Sequence, residues 1–156
     1  MNPKHVTNLD LSKALFEAGI TKDYESEFYW TEDVTATPLE NGFTEVRKNG
    51  TWVTVQGKFM DRVDLRNGPE FPALLLSELL ELMPKEIDGF DFLTLEYFTG
   101  DKLAKAGWET YYENVRGEDT AMLGGRYFKE SSALEALSSL ATYLLREGKF
   151  NKPTTK

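Results

Sequence analysis

The Asn49-Gly50 dipeptide is the feature that most restricts how this chain can fold. It lies between two segments in which β-favouring residues alternate with polar ones, FTEVRK before it and TWVTVQ after it. An asparagine–glycine pair accepts the positive φ angles of a type I′ turn, the common two-residue connection of a β-hairpin. We therefore predict a hairpin over residues 43–56. Counting back from the turn gives three opposing pairs: Val46 with Val53, Thr44 with Val55, and Arg47 with Trp52.

This register also assigns the two faces of the predicted hairpin. Side chains alternate between the faces of a strand, so a fixed register decides which of them face the core. The valines collect on one face, and the charged and hydroxyl side chains collect on the other. We expect Val46, Val53 and Val55 to point inward, and Glu45 and Thr54 to face water.

The first predicted helix covers residues 9–18, where apolar side chains recur at the spacing of one helix face. Asn8 or Asp10 can cap its start, because a short polar side chain accepts a hydrogen bond from the free amides of the first turn. Gly19, followed by the apolar Ile20, supplies the left-handed stop that ends many helices. The sequence therefore predicts a short helix with a signal at each end.

The second predicted helix covers residues 73–83 and carries a broad apolar face, which is typical of a largely buried helix. Pro72 suits a first helical turn, and Pro84 ends the segment. Its predicted core stripe consists of Leu76, Leu79, Leu80 and Met83.

The third predicted helix begins at a capping box formed by Ser132 and Glu135 and is closed by Gly148. We expect it to dock on an apolar partner, either the helix at 73–83 or the inner face of the sheet. Its predicted core stripe consists of Leu134, Leu137, Ala141, Leu144 and Leu145.

Further strands are predicted where β-favouring and aromatic residues concentrate. They lie at residues 25–30, 90–98, 107–115 and 126–130, and residues 33–41 are predicted as a loop. Hairpins without regular strand–helix alternation favour an α+β fold, in which an antiparallel sheet with hairpins packs against about three helices. We predict one domain over residues 1–150 and a disordered tail over residues 151–156.

Composition excludes several classes of function. The 156 residues contain no cysteine, which excludes disulfides, thiolate metal sites and cysteine nucleophiles. The net charge of −8 disfavours binding to nucleic acid, because no basic cluster offsets it. No apolar run is long enough for a signal peptide or a membrane span. We expect a cytoplasmic protein without a membrane or nucleic-acid partner.

The sequence presents no recognisable catalytic, cofactor-binding or metal-binding site. Its only histidine, His5, lies in a terminus predicted to be mobile, so histidine-based acid–base chemistry is not expected. The Gly124-Gly125 pair is followed by Arg126 and lacks the lysine and hydroxyl residue of a phosphate-binding loop. We therefore assign no catalytic, cofactor or metal residues.

Two kinds of side chain remain as candidates. Carboxylates concentrate in three places, and the simpler interpretation of each is charge exposed to water. The three sets are Glu25, Glu27, Glu32 and Asp33; Glu109 and Glu113; and Glu118 and Asp119. Aromatic side chains can hold a ligand but more often fill a core: Tyr24, Phe28, Tyr29, Trp30, Trp52, Trp108, Tyr111 and Tyr112. In a strand, Tyr111 and Tyr112 must point to opposite faces, so one of them should be accessible.

Three co-linear segments carry a family resemblance: LDLSKALFEAGI followed by ESEFYW, then PALLLSELLELMPKEI, then ALEALSSLATYLLREGKF. In this order they resemble a group of small acidic proteins of unknown function that are encoded by phages and prophages of bacteria. The resemblance implies a bacterial host and brings no site residues.

Three functions stay open at this point. The first is a non-enzymatic factor that binds a host or phage protein through a basic surface on that partner. The second is a structural or self-associating protein, which would expose a large apolar patch. The third is a carboxylate-based enzyme or a small-ligand binder, which would need a pocket.

Overall fold

The computed structural model describes residues 3–62, 66, 68–103, 105–113, 120–121 and 128–150. Its helices and antiparallel sheets confirm the predicted α+β class. In chain order the elements are α1 (Leu9–Glu17), β1 (Phe28–Pro38), β2 (Thr44–Gln56), β3 (Phe71–Ala73), α2 (Leu76–Leu82), β4 (Phe92–Phe98), β5 (Gly107–Glu113), β6 (Thr120–Ala121), β7 (Phe128–Glu130) and α3 (Ala133–Arg146).

The chain divides into two compact units, Met1–Leu75 and Leu76–Lys156. The first contains an antiparallel sheet in the order β2-β1-β3. The second contains a sheet in the order β4-β5-β6, in which β7 also pairs with β5. The single domain predicted over residues 1–150 stays a prediction, and the predicted tail at 151–156 lies outside the described residues.

Helix α1 forms as its local signals predict. The Asn8 side chain accepts a hydrogen bond from the amide of Leu11 at 2.8 Å and so caps the first turn. At the other end Gly19 has a φ of 77°, and the amide of Ile20 reaches back to the carbonyl of Leu15 at 2.9 Å. This is the glycine-based stop in which an amide beyond the helix satisfies a carbonyl of the last turn.

The N-terminal segment before α1 is held by the hydrogen bonds of Thr7, and the mobility predicted for the terminus at His5 stays a prediction. The Thr7 amide donates to the carbonyl of Leu74 at 2.8 Å, and its hydroxyl accepts from the amide of Leu74 at 3.0 Å. The carbonyl of Thr7 also accepts from the indole nitrogen of Trp30 at 2.8 Å. Thr7 is fully buried, so unsatisfied polar groups there would be costly.

The hairpin predicted at 43–56 is wrong. Strand β2 continues through Asn49-Gly50 and pairs along its length with β1, in a register where Thr31 lies opposite Val53 and Thr35 opposite Arg47. The turn of the observed hairpin is at residues 39–43, and residues 33–38, predicted as loop, are strand. A two-residue turn would pair only six residues with six, whereas the eleven-residue β1 pairs with β2 over most of its length and satisfies more backbone groups.

Asn49-Gly50 forms an irregularity in the ladder instead of a turn. The register shifts between Glu32, opposite Trp52, and Val34, opposite Lys48, so extra residues are accommodated on β2. Gly50 has a φ of 77°, and the Asn49 side chain accepts from the amide of Thr51 at 3.0 Å. The glycine therefore adopts the predicted positive φ in a different structural context.

The predicted contrast between the faces of this segment is also wrong. Val46 is exposed, and Val53, Thr54 and Val55 are all half-buried. Val46 and Val53 belong to one strand and are separated by an odd number of residues, so they lie on opposite faces instead of sharing one. Around Val53, Thr54 and Val55 both faces of β2 are partly covered.

A pair of engineered cysteines distinguishes the two registers. The variant Thr35→Cys/Arg47→Cys should form a disulfide on oxidation, because these residues are Cα partners across β1 and β2. The variant Val46→Cys/Val53→Cys should remain reduced, and the natural chain contributes no competing cysteine. Free-thiol titration of the folded protein measures both. A disulfide in the second variant and none in the first would restore the turn at Asn49-Gly50.

The segment before α2 is a strand rather than the first turns of the predicted helix at 73–83. Strand β3 pairs with β1, with Pro72 opposite Tyr29 and Ala73 opposite Phe28, and α2 begins only at Leu76. Pro72 is tolerated because β3 is an edge strand, which leaves its missing amide without a required ladder partner. The predicted stripe is partly wrong as well, since Leu79 and Met83 are buried but Leu80 is exposed.

In the second unit, β4 and β5 form an antiparallel hairpin, as the predicted strands at 90–98 and 107–115 indicate. The strand predicted at 126–130 corresponds to β7, of which residues 128–130 are described. Helix α3 contacts β5, β7 and α2, which confirms that it docks on both predicted partners. Its fully buried side chains are Ala136, Leu137, Leu140, Ala141 and Leu144.

The ends of α3 also follow their local signals. The Ser132 hydroxyl accepts from the amide of Glu135 at 3.1 Å, while the Glu135 carboxylate accepts from the Ser131 hydroxyl at 2.7 Å. Gly148, at a φ of 65°, ends the helix, and the amide of Lys149 bonds to the carbonyl of Leu144 at 2.8 Å. Leu134 and Leu145, predicted for the core stripe, are half-buried at its margins.

Candidate functional site

The hairpin of β4 and β5 presents one face to α3 and the other away from it. Tyr112 and Thr110 are fully buried, and the Tyr112 hydroxyl donates to the carbonyl of Pro84 at 2.6 Å. Burial raises the pKa of the Tyr112 hydroxyl, which therefore remains a protonated donor at neutral pH. Tyr111 points to the opposite face, which confirms the predicted division between the two tyrosines.

The face that carries Tyr111 gathers three carboxylates. Glu96 of β4 lies directly opposite Glu109 of β5, and Glu113 lies further along β5 on the same side. The Tyr111 hydroxyl donates to Glu96 Oε1 at 2.9 Å, and the Thr94 hydroxyl donates to Glu113 Oε1 at 2.7 Å. We call the surface formed by these side chains and Phe92 the acidic face.

The opposition of Glu96 and Glu109 is unfavourable for the sheet. Like charges directly across an antiparallel pair destabilise it, whereas opposite charges or aromatic pairs stabilise it. In the register of the next strand, Glu109 also lies opposite Lys129 of β7, so a cationic residue is its neighbour on that side. What this face offers a partner is therefore the concentration of three carboxylates, Glu96, Glu109 and Glu113.

An exposed aromatic side chain, Phe92, borders the acidic face. It lies at the start of the edge strand β4 and is 55% exposed. The pair Tyr97 and Trp108, with 5.4 Å between ring centroids, lies on the other face of the hairpin and takes no part in this surface. Carboxylates accept hydrogen bonds from lysine and arginine, and aromatic rings attract the same cations. The acidic face can therefore bind basic side chains.

The other predicted carboxylate set does not form a site. Glu25 pairs with Lys58 at 3.1 Å and Asp33 pairs with Arg66 at 3.7 Å, so the two take separate cations. Glu27 and Glu32 lie between them along the chain, exposed and half-buried. Within the described residues, no group of three or more His, Asp or Glu side chains could hold a metal ion.

Of the remaining candidate residues, one lies on the surface and the others lie outside the described residues. His5 is exposed in a short 3-10 turn. The candidate pair Glu118 and Asp119, and the segment Gly124-Gly125-Arg126, lie outside the described residues.

The predicted aromatic residues of the first unit have different roles. Trp52 packs beside Phe71 and lies under the ammonium of Lys13, whose nitrogen is 4.6 Å from the ring centroid. Tyr24 and Tyr29 line a pocket of about 220 Å³. Phe28 and Trp30 are half-buried in β1. Most of these aromatic side chains therefore pack against neighbouring residues, as predicted.

Sequence reasoning found Glu109 and Glu113 but missed Glu96 and the residues that complete the pocket. A signal for Glu96 exists, because the period-two alternation of β4 and β5 places it on the same face once the two strands are paired. The pocket residues come from separate parts of the first unit, and no local pattern joins them.

Comparisons with known proteins identify no relative. No family model, curated protein or solved structure matches this chain. Among the described helices, none has the length and apolar character needed to cross a membrane.

Proposed function

We propose that this chain is a non-enzymatic accessory factor that binds a protein partner through a basic surface on that partner. The observation that carries the proposal is the acidic face, where Glu96 and Glu109 oppose each other beside Tyr111 and the exposed Phe92. A lysine or arginine of the partner could donate charge-assisted hydrogen bonds to these carboxylates.

The overall charge supports a local site more than a general acidic surface. The unit Met1–Leu75 carries 12 acidic and 8 basic residues, and Leu76–Lys156 carries 14 and 10. Each unit therefore has the same net charge of −4, so net charge does not distinguish them. The arrangement of the charges differs between the units, since in the second unit acidic side chains collect on one face of the β4–β5 hairpin.

The resemblance to small acidic phage and prophage proteins supplies the setting of this proposal. It suggests a bacterial host cytoplasm and a host or phage protein as the partner. Nucleic acid is not proposed as a partner, because carboxylates repel a phosphate backbone.

We expect decalysine to bind the acidic face with an affinity that falls as salt rises, since exposed charges are screened within about 8 Å at physiological ionic strength. The variant Glu96→Gln/Glu109→Gln/Glu113→Gln should weaken binding about tenfold at low salt, because several exposed ion pairs of modest strength are lost together. Fluorescence anisotropy of labelled decalysine measures both effects.

The control for this experiment has the same net charge. The variant Glu17→Gln/Glu27→Gln/Glu40→Gln removes three exposed carboxylates from the first unit and should change the affinity less than about twofold. Equal weakening by the two triple variants would mean that net charge alone attracts the peptide, and the acidic face would lose its role.

Self-association is the second candidate, and the edge strand β4 favours it. Phe92 and Tyr97 are both exposed on this strand, and an unprotected edge can pair with a second chain. Sedimentation equilibrium at about 10 and about 300 µM, concentrations that bracket an affinity of about 100 µM, decides between a monomer and a dimer. Loss of the dimer in Phe92→Lys would assign the interface to this edge.

A further inference from the structure

The pocket in the first unit has the size of a site for one ring. Its apolar walls include Phe16 of α1, Tyr29 of β1, Pro72 of β3, and Phe59, and its volume is about 220 Å³. A cavity of about 150 Å³ already binds benzene, whereas sites for drug-sized ligands begin at about 300 Å³. A single aromatic ring with a short polar group matches this volume.

The wall formed by Phe59 is held in place by a nearly buried ion pair. Arg62 pairs with Glu70 through Glu70 Oε1, and Glu70 Oε2 accepts from the amide of Phe59 at 2.9 Å. Arg62 also donates to the carbonyl of Gly57 at 2.6 Å. Both Glu70 oxygens are thus engaged by the protein, and the pocket is formed before any ligand arrives.

Tyr29 lines this pocket and carries a hydroxyl that can donate a hydrogen bond. Its side chain is 4% exposed, and its hydroxyl oxygen accepts from the amide of Ser26 at 3.0 Å. Among the described residues, no acceptor takes the hydroxyl proton of Tyr29. Burial raises the pKa of this hydroxyl, so it keeps its proton at neutral pH. A ligand oxygen would complete the hydrogen bonding of a buried group.

Two lysines at the pocket favour an anionic ligand. Lys58 donates to Glu25 Oε1 at 3.1 Å, and this hydrogen bond raises the pKa of Lys58. The Glu25 side chain is 84% exposed, so water readily replaces it and Lys58 can exchange it for another carboxylate. Lys22 is exposed and takes part in no ion pair within the part of the chain that the structure describes. Two carboxylates oppose this preference: Asp61, which is exposed near Lys58, and Glu70, which lines the pocket but is paired with Arg62.

We propose that this pocket binds a monocarboxylate with one aromatic ring, its ring against Phe16 and Phe59 and its carboxylate toward Tyr29, Lys58 and Lys22. This inference is independent of the acidic face. The same chemistry occurs in a free aromatic acid and in the C-terminal phenylalanine of a peptide. Only the C-terminal phenylalanine is attached to a preceding peptide chain. The experiment therefore tests a probe for each source.

The probe for the free acid is 3-phenylpropionate, and the matched neutral probe is 3-phenylpropanamide. A ligand of this size should bind with a Kd on the order of 0.1–1 mM, given the usual free energy per ligand atom. We expect chemical-shift changes of the backbone amides of Phe59 and Glu70 in ¹H–¹⁵N spectra. The neutral probe should bind at least about fivefold more weakly than 3-phenylpropionate, because it lacks the charge. Equal binding of the two probes, or shifts confined to other residues, would overturn the proposal.

Three variants test the assigned groups. Tyr29→Phe should weaken the binding of 3-phenylpropionate about fivefold through the lost hydrogen bond. Lys58→Met should weaken this binding to a similar extent. Glu25→Gln should strengthen binding about twofold or more, because it frees Lys58. Since Glu25 is exposed, this variant tests the proposal even if Tyr29→Phe unfolds. Weaker binding by Glu25→Gln would contradict the assigned role of Lys58.

Matched controls lie in the other unit. Tyr143→Phe and Lys149→Met make the same chemical changes at residues that do not line the pocket and should leave the Kd unchanged. The peptide acetyl-Gly-Gly-Phe, with a free or an amidated C-terminus, identifies the source of the ligand. Tighter binding of the free-acid peptide than of 3-phenylpropionate would assign the pocket to chain termini, and the reverse would assign it to small acids.

Discussion

A chain that ends at Glu130 is expected to lose the fold of the second unit. Helix α3 contributes three fully buried leucines, Leu137, Leu140 and Leu144, and it contacts β5, β7 and α2. Burying each leucine stabilises a protein by roughly 1.5–3 kcal/mol, so the three together approach the typical total stability of about 5–15 kcal/mol for a domain. Without α3 the inner face of the β4–β5 hairpin would be exposed to water.

The measurement is the dispersion of the amide signals of β4 and β5 in ¹H–¹⁵N spectra. These signals should collapse to the range of an unfolded chain when α3 is removed. The control is a chain that ends at Phe150, which keeps the last buried side chain that the structure describes. Well-dispersed β4 and β5 signals in the shorter chain would mean that α3 is an appendage of this unit.

Two adjacent leucines of α2 should differ sharply in their contribution to stability. Leu79 is fully buried, so Leu79→Ala should lower the free energy of unfolding by about 2–5 kcal/mol through lost burial and a residual cavity. Leu80 is 38% exposed, so Leu80→Ala should lower it by less than about 1 kcal/mol. Both changes introduce alanine into the same helix, so their effects on helix propensity are closely matched.

Urea unfolding of both variants measures this difference. The midpoint of the transition should fall clearly for Leu79→Ala and only slightly for Leu80→Ala, with similar slopes. Equal shifts would support the stripe predicted from the sequence, in which both leucines face the core.

The helix ends were predictable because their interactions are local. The cap at Asn8 and the stop at Gly19 each involve residues within about six positions, and the same is true of Ser132 and Gly148. Short-range hydrogen bonds of this kind depend little on the rest of the chain. The predicted bounds of α1 and α3 are therefore close to the observed ones.

The strand pairings of the first unit were not predictable in this way. Asn49-Gly50 carries a strong local signal for a turn, but β1 lies next to β2 and offers a longer ladder. Likewise, Ala73 follows the apolar pattern of a helix, yet it pairs with Phe28 of β1, which is distant in the chain. In both cases distant backbone partners outweighed a local preference.

The candidate sites also combine features that one strand predicts with features that depend on distant segments. Glu109 and Glu113 share a face because alternate residues of one strand do so, and this can be derived from the sequence once β5 is identified. Their opposition to Glu96 depends on the register between β4 and β5. The pocket at Tyr29 depends on still more distant segments, since Glu70 fixes Phe59 and Lys58 reaches Glu25.

The α+β class, the two longer helices with their caps, and the strands of the second hairpin could therefore be read from local patterns along the chain. Spacing and local hydrogen bonds carry that information, and they act within a few residues. Three features required the folded chain: the bulge at Asn49-Gly50, the strand β3 in place of the start of a helix, and the sets of side chains that meet in the acidic face and the pocket. These outcomes depend on which segments are neighbours in space, because a buried backbone group or side chain takes the partner that packing brings to it.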